Sequence, residues 1–120
     1  MAEIAPFHGW TYDFDRFGDP GSLLAPPYDV ISPEEQASLY AASPHNVIRL
    51  ILGRKKTGDS DWDNRYTRTA ETLKRWVAAD VLVRSPAPAF YVTSMTYDPG
   101  DGSGPKTRWG LIGLVRIEDE

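Results

Sequence analysis

Apolar residues recur at helical spacing in one long stretch of the chain and alternate or run together in several others. From Ile4 to Tyr12, the side chains of Phe7, Trp10, Thr11 and Tyr12 predict a short strand interrupted near Gly9. Asp13 to Pro27 is rich in Gly, Pro and Asp, which is loop chemistry. Ser32-Pro33-Glu34-Glu35 then announces a helix: Ser32 can cap it, Pro33 suits its first position and Glu35 completes a capping box. That helix should end near Ala42, before Ser43-Pro44. Asn46 to Leu52 is β-branched and nearly continuous in apolar character, which predicts a strand covered on both faces.

After a polar connection from Gly53 to Ser60, the residues Trp62, Tyr66, Ala70, Leu73 and Val77 repeat by fours and threes. They predict a long amphipathic helix with that row facing the core. Asp59, Asp61 and Asp63 stand at its positive end, and Lys74 and Arg75 lie nearer the other. Val81 to Val83 reads as a brief extended piece. Phe90 to Tyr97 and Lys106 to Ile117 alternate on either side of the polar loop Asp98–Pro105, so they predict an antiparallel hairpin. Its Trp109 is expected in the core and Arg108 in solvent. The order is β-α-β-α-β-β, an α/β (α+β) class with a mixed sheet and two helices.

Composition narrows the picture. The 120 residues fit one domain, 1–120, and 41% hydrophobic with 12% aromatic residues supplies one modest core. A net charge of −4 argues against phosphate-backbone binding, and the basic run Arg54-Lys55-Lys56 is short and reads as a solvated loop. Nucleic acid is therefore not indicated. Cysteine is absent, so disulfides and thiolate metal sites are excluded. No signal peptide or membrane-length apolar run is present, which makes the cytoplasm the expected compartment.

Four segments carry a family likeness. The opening IAPFHGW, APPYDVIS at Ala25 to Ser32, SPHNVIRL at Ser43 to Leu50 and the closing RWGLIGLVRIED together resemble the domain-of-unknown-function family DUF1015. The resemblance implies that these residues are the N-terminal portion of a longer bacterial protein, whose later His-Glu motif has no counterpart here. It also implies a more distant kinship with ParB-like proteins, a group of nucleotide-binding partition proteins, nucleases and free-serine kinases. A nucleotide-dependent or phosphate-handling activity is the expectation that follows, as fold-level analogy. In that reading the chain contributes to a serine-kinase-like phosphotransferase completed by residues beyond Glu120.

The residues themselves offer a few candidates. Tyr28 and Asp29 follow a rigid double proline and precede a helix N-terminus, where free N–H groups favour an anion. A phosphate or carboxylate there would have Tyr28 as donor and Asp29 as general base or orienting acceptor; otherwise Asp29 caps a turn and Tyr28 packs. Asn46 shares a strand face with Ile48, and Arg49 takes the opposite one with Val47. A charge in an apolar strand needs a partner, either a ligand phosphate or an internal carboxylate such as Asp29. Tyr28, Asn46 and Arg49 are thus the ligand-binding candidates and Asp29 the catalytic one.

Other features carry less. His8 and His45 lack metal-ligand spacing, and the acids at Asp59, Asp61 and Asp63 lack the Gly and Glu that a calcium loop needs, so no metal site is expected. Trp62, Tyr66 and Trp76 could stack on bases, but their helical spacing points to core packing. The cofactor expected is a nucleotide with magnesium, and the partners are a small phosphorylated molecule or nucleotide, with no membrane. The edge of the terminal strand offers a homodimer contact. The alternative is a non-catalytic structural or partner-binding domain.

Overall fold

The structure, a computed structural model, describes residues 2–118. In chain order its elements are β1 (Ile4–Ala5), β2 (Trp10–Tyr12), α1 (Phe14–Phe17), α2 (Pro33–Ala42), α3 (Ile48–Ile51), α4 (Arg65–Ala78), β3 (Leu82–Arg84), β4 (Tyr91–Tyr97), β5 (Lys106–Ile112) and β6 (Leu114–Val115). Single 3-10 turns stand at Pro20–Ser22 and Tyr28–Val30. The class is α/β, as the sequence predicts. Its strands form two-stranded ladders, β1–β6, β2–β3 and β4–β5, in place of one mixed sheet. Two compact units result: the described residues up to Trp10 with those from Arg84 onward, and residues 11–83.

The 11–83 unit holds every strongly buried hydrophobic side chain among the described residues. Tyr12, Leu23, Trp76, Val81 and Leu82 form its core, with Phe17, Val47 and Leu50 packed against them. Tyr12 centres an aromatic group: its ring lies 5.9 Å from Trp76 and 6.2 Å from Phe17. The Tyr12 hydroxyl donates to the His45 carbonyl at 2.6 Å. α4 is sealed at both ends. Asn64 Oδ1 accepts from the Tyr66 and Thr67 N–H groups, while Thr67 Oγ1 accepts in return from the Asn64 N–H. At the other end Val81 N–H donates to Trp76 O and Asp80 N–H to Val77 O, with Asp80 left-handed at φ 55°. These two bonds make a Schellman motif, which turns the chain so that Val81 and Leu82 enter the core.

Three expectations need correction here. Residues Asn46 to Leu52 form a helical turn, not a two-sided strand. Asn46 Oδ1 accepts from the Ile48 N–H at 2.9 Å, and the Arg49, Leu50, Ile51 and Leu52 N–H groups each donate back to a carbonyl three or four residues earlier. A side chain that offers this local acceptor starts a helical turn despite the β-branched residues that follow. The buried row of α4 contains Thr72 and Trp76, one residue out of phase with the predicted row. One position is about 100° of helix rotation, so Tyr66 and Leu73 are exposed instead. Glycine explains the rotation: a Cβ at Gly53 would lie 2.9 Å from Thr69 Oγ1 and 3.2 Å from the Arg65 carbonyl. Only a backbone without a side chain comes that close, and it selects the face carrying the small threonines. The helix at Ser32 agrees with expectation, though by a single bond, Glu35 N–H to Ser32 Oγ at 3.1 Å.

In the other unit, β4 and β5 pair antiparallel from Tyr91↔Ile112 to Tyr97↔Lys106, as the alternation predicts. Past Gly113 the chain continues as β6 and pairs with β1 through Ile4↔Val115 and Ala5↔Leu114. Phe7 bridges to Ala89, its ring lies 5.1 Å from Tyr91, and the Tyr91 hydroxyl accepts from the Gly9 N–H at 2.7 Å. Trp109 is the third correction, because it is 70% exposed. Among the described residues of its own unit, no layer covers that face, where Leu111 is exposed as well. Among the described residues no helix is long and apolar enough to cross a membrane.

Candidate functional site

The residues singled out in the sequence meet different fates. Tyr28 and Asp29 stand on the 3-10 turn that follows Pro27, and both are exposed. Three residues past Asp29, Ser32 caps α2. Asn46 is wholly buried. Its Nδ2 donates to the Ser22 and Leu24 carbonyls at 2.8 and 2.9 Å, and its Oδ1 holds the Ile48 N–H. These three bonds join the Pro20–Ser22 turn to α3.

Arg49 is half-buried on α3. Its guanidinium donates to the Ser43 carbonyl at 2.6 Å and the Tyr40 carbonyl at 2.9 Å, and it lies 4.5 Å from the centroid of the Tyr40 ring. Those carbonyls close the last turn of α2, where a cation meets the negative end of the helix dipole. Among the described residues no carboxylate lies within ion-pair distance of Arg49. The charge-pairing partner that the sequence required is therefore the helix terminus.

Arg49 also lines a cleft of about 680 Å³ that none of the other three candidates touches. The walls are built from α4 and from the Gly53–Asn64 connection. Arg49, Arg54, Lys56, Arg65, Arg68 and Arg75 supply six cationic side chains, against the carboxylates of Asp63 and Glu71. Arg65, Arg68, Thr72 and Arg75 fall at i, i+3, i+7 and i+10, so one face of α4 presents three guanidinium groups together. Gly53 brings the connection against α4 through the close approach already described. Arg68 then clips it there: Nη2 donates to the Arg54 carbonyl at 2.9 Å, and Nη1 pairs with Asp59 at 2.8 Å and Asp63 at 3.1 Å.

Charge in this cleft is unevenly compensated. The Arg68 hydrogen bond and the Lys56 N–H hold the Asp59 carboxyl below its usual range, and Asp59 in turn raises Arg68. The other cations have no such partner. Among the described residues, Arg54, Lys56, Arg65 and Arg75 lie beyond ion-pair distance of any carboxylate. Arg54 stacks over the Tyr40 ring at 4.0 Å, and Arg65 donates to the Tyr66 hydroxyl, a bond that lowers the Tyr66 phenol. An acidic protein thus carries a local concentration of unneutralised positive charge. Guanidinium and ammonium groups gathered in this way have the chemistry to donate charge-assisted hydrogen bonds to an anion.

A shallower recess adjoins it, sharing Gly53, Arg54 and Arg65 and reaching Ile31, Ser32 and Pro33 at the start of α2. Through it the APPYDVIS segment approaches the basic cleft, although Tyr28 and Asp29 do not line either wall. No group of three or more His, Asp or Glu side chains among the described residues is gathered as a metal site. Arg54 to Lys56 read in the sequence as a solvated loop and Trp62 as a core residue, yet Arg54, Lys56 and Trp62 all line the cleft. The signal in the sequence for this cleft is the basic stripe Arg65, Arg68 and Arg75, which stands at helical spacing beside the apolar row.

Comparison with known proteins gives a family and no function. A family model described as a protein of unknown function (DUF1015) matches residues 4–120. No curated protein and no solved structure matches the chain.

Proposed function

The chain belongs to the DUF1015 family, and from that premise we propose that its arginine-lined cleft binds a small phosphate-bearing molecule of the nucleotide class. The carrying observation is the set of six cations in one 680 Å³ cleft, five of them without a carboxylate partner among the described residues. Guanidinium groups bind phosphate oxygens through paired, charge-assisted hydrogen bonds, and a cleft concentrates their field. Arg49 takes part in this reading through its place in the wall. The polar atoms of Asn46 are occupied by main-chain groups, so Asn46 supports the ligand site by fixing α3.

The fuller form of the proposal is a phosphotransferase in which Asp29 is the general base and Tyr28 a donor, with magnesium arriving on the nucleotide. Support for it is the short path from Asp29 to Ser32 at the recess beside the cleft. The test is a melt of the chain with pyrophosphate, ADP, ATP and phosphoserine, each with and without magnesium. A ligand at a hundred times its dissociation constant stabilises by about 2.7 kcal/mol. A midpoint raised by several degrees with a phosphate ligand, and lost in Arg54→Ala/Lys56→Ala, is expected. An unmoved midpoint throughout the panel overturns the proposal. Asp29→Asn with unchanged phosphoryl transfer would remove the base from it.

A further inference from the structure

Trp62 stands at the wall of the basic cleft and is 90% exposed. Exposed indole is unusual, because tryptophan carries the largest apolar payload of any side chain and is normally covered. Here the backbone presents it in a fixed way. Ser60 Oγ accepts from the Asp63 N–H at 3.1 Å and from the Trp62 N–H at 3.3 Å. The Ser60 N–H donates to the Asp63 carbonyl at 2.9 Å, and Asn64 Nδ2 donates to the Ser60 carbonyl at 2.9 Å. Asn64 is also the cap of α4, so the turn that carries Trp62 is continuous with the helix that carries the arginines. An aromatic surface carried on a hydrogen-bonded turn and a cluster of cationic groups therefore line one cavity.

We propose that the ligand of this cleft is a free nucleoside polyphosphate whose base stacks on the Trp62 indole while its phosphates lie on the unpaired cations. The proposal rests on the phosphate reading above and adds the base to it. Every nucleobase has a π-face, and indole receives it without needing a particular donor pattern, so the stack supplies affinity and leaves base choice open. The cavity's 680 Å³ falls within the size of small-molecule sites. The net charge of −4 disfavours a long polyanionic strand, whose phosphates would extend past the cleft onto an acidic surface. A mononucleotide satisfies both limits.

The experiment compares ATP with tripolyphosphate, which has the phosphates and no base, by calorimetry on the wild-type chain and on Trp62→Ala. Base–aromatic stacking makes ATP tighter than tripolyphosphate by roughly 5- to 150-fold on the wild type. On Trp62→Ala that advantage disappears while tripolyphosphate affinity stays unchanged. The exposure of Trp62 means the variant should melt at the wild-type temperature, which the same samples check. Equal binding of ATP and tripolyphosphate by the wild type overturns the stacking and leaves the phosphate site standing. No binding of tripolyphosphate overturns both. A short oligothymidylate that binds more tightly than ATP overturns the free nucleotide in favour of a single strand.

Discussion

Replacing Asn46 by alanine removes three hydrogen bonds at one buried point. The Ser22 and Leu24 carbonyls lose their common donor, and the Ile48 N–H loses the acceptor that starts α3. Each bond contributes about 1 kcal/mol net, and a buried group left unpaired costs more than the bond was worth, so the expected loss is about 3 kcal/mol. Leu23, which joins the two carbonyls, is itself in the core, so disturbance there reaches Tyr12 and Trp76. In urea, with a slope of about 1–3 kcal/mol per molar, the midpoint should fall by roughly 1–3 M. The slope itself should hold if the unfolded state is unchanged. Asn46→Asp should be at least as harmful, because a carboxylate would face the same two carbonyls. A midpoint within about 0.3 M of wild type would refute the reasoning. If such a variant also lost nucleotide binding, Asn46 would be a ligand contact and not a strut.

Two further predictions test the same unit. Asp80 is left-handed at the end of α4 and places a negative charge by the negative helix terminus. Asp80→Gly should stabilise by about 1 kcal/mol in chemical denaturation; a loss of stability would show that the aspartate side chain has a partner worth more than the strain. The His45 ring lies 5.0 Å from Phe17 and 5.8 Å from Trp76. Burial first, then the charges of Arg16 and Arg49, depress its pKa below 6.5. The unfolded chain therefore takes up a proton near pH 6.5 that the folded chain refuses, so stability falls as pH drops below that value and levels off under the folded pKa. His45→Phe should lose less melting temperature than wild type between pH 7.5 and 5.5, and an equal loss would remove His45 as the cause.

The helix beginning at Ser32 was legible because its signals are local: cap, proline and acidic first turn lie within four residues. So was the β4–β5 hairpin, whose alternation and polar loop need no information from elsewhere. Asn46 to Leu52 was not, because a run of Val, Ile and Leu reads alike in a covered strand and in a short buried helix. The Asn46 side chain and its distant carbonyl partners decided between them. The face of α4 misled for a related reason. Tyr66, Leu73 and Val77 outweigh Thr69 and Thr72 in apolar area, but the approach of Gly53 needs small side chains. The cleft was hardest, since it joins a basic stripe on one helix to a loop that looked merely solvated, and only tertiary structure brings them together.

If unpaired cations make this cleft a phosphate receptor, calorimetric titration with pyrophosphate will read it. Wild type should bind, and Arg54→Ala/Lys56→Ala should bind at least tenfold more weakly with an unchanged melting temperature, since each charge-assisted bond is worth about 1.5–3 kcal/mol. Equal heats and affinities in the two proteins, or no binding by the wild type, would mean that these cations do not form a phosphate site.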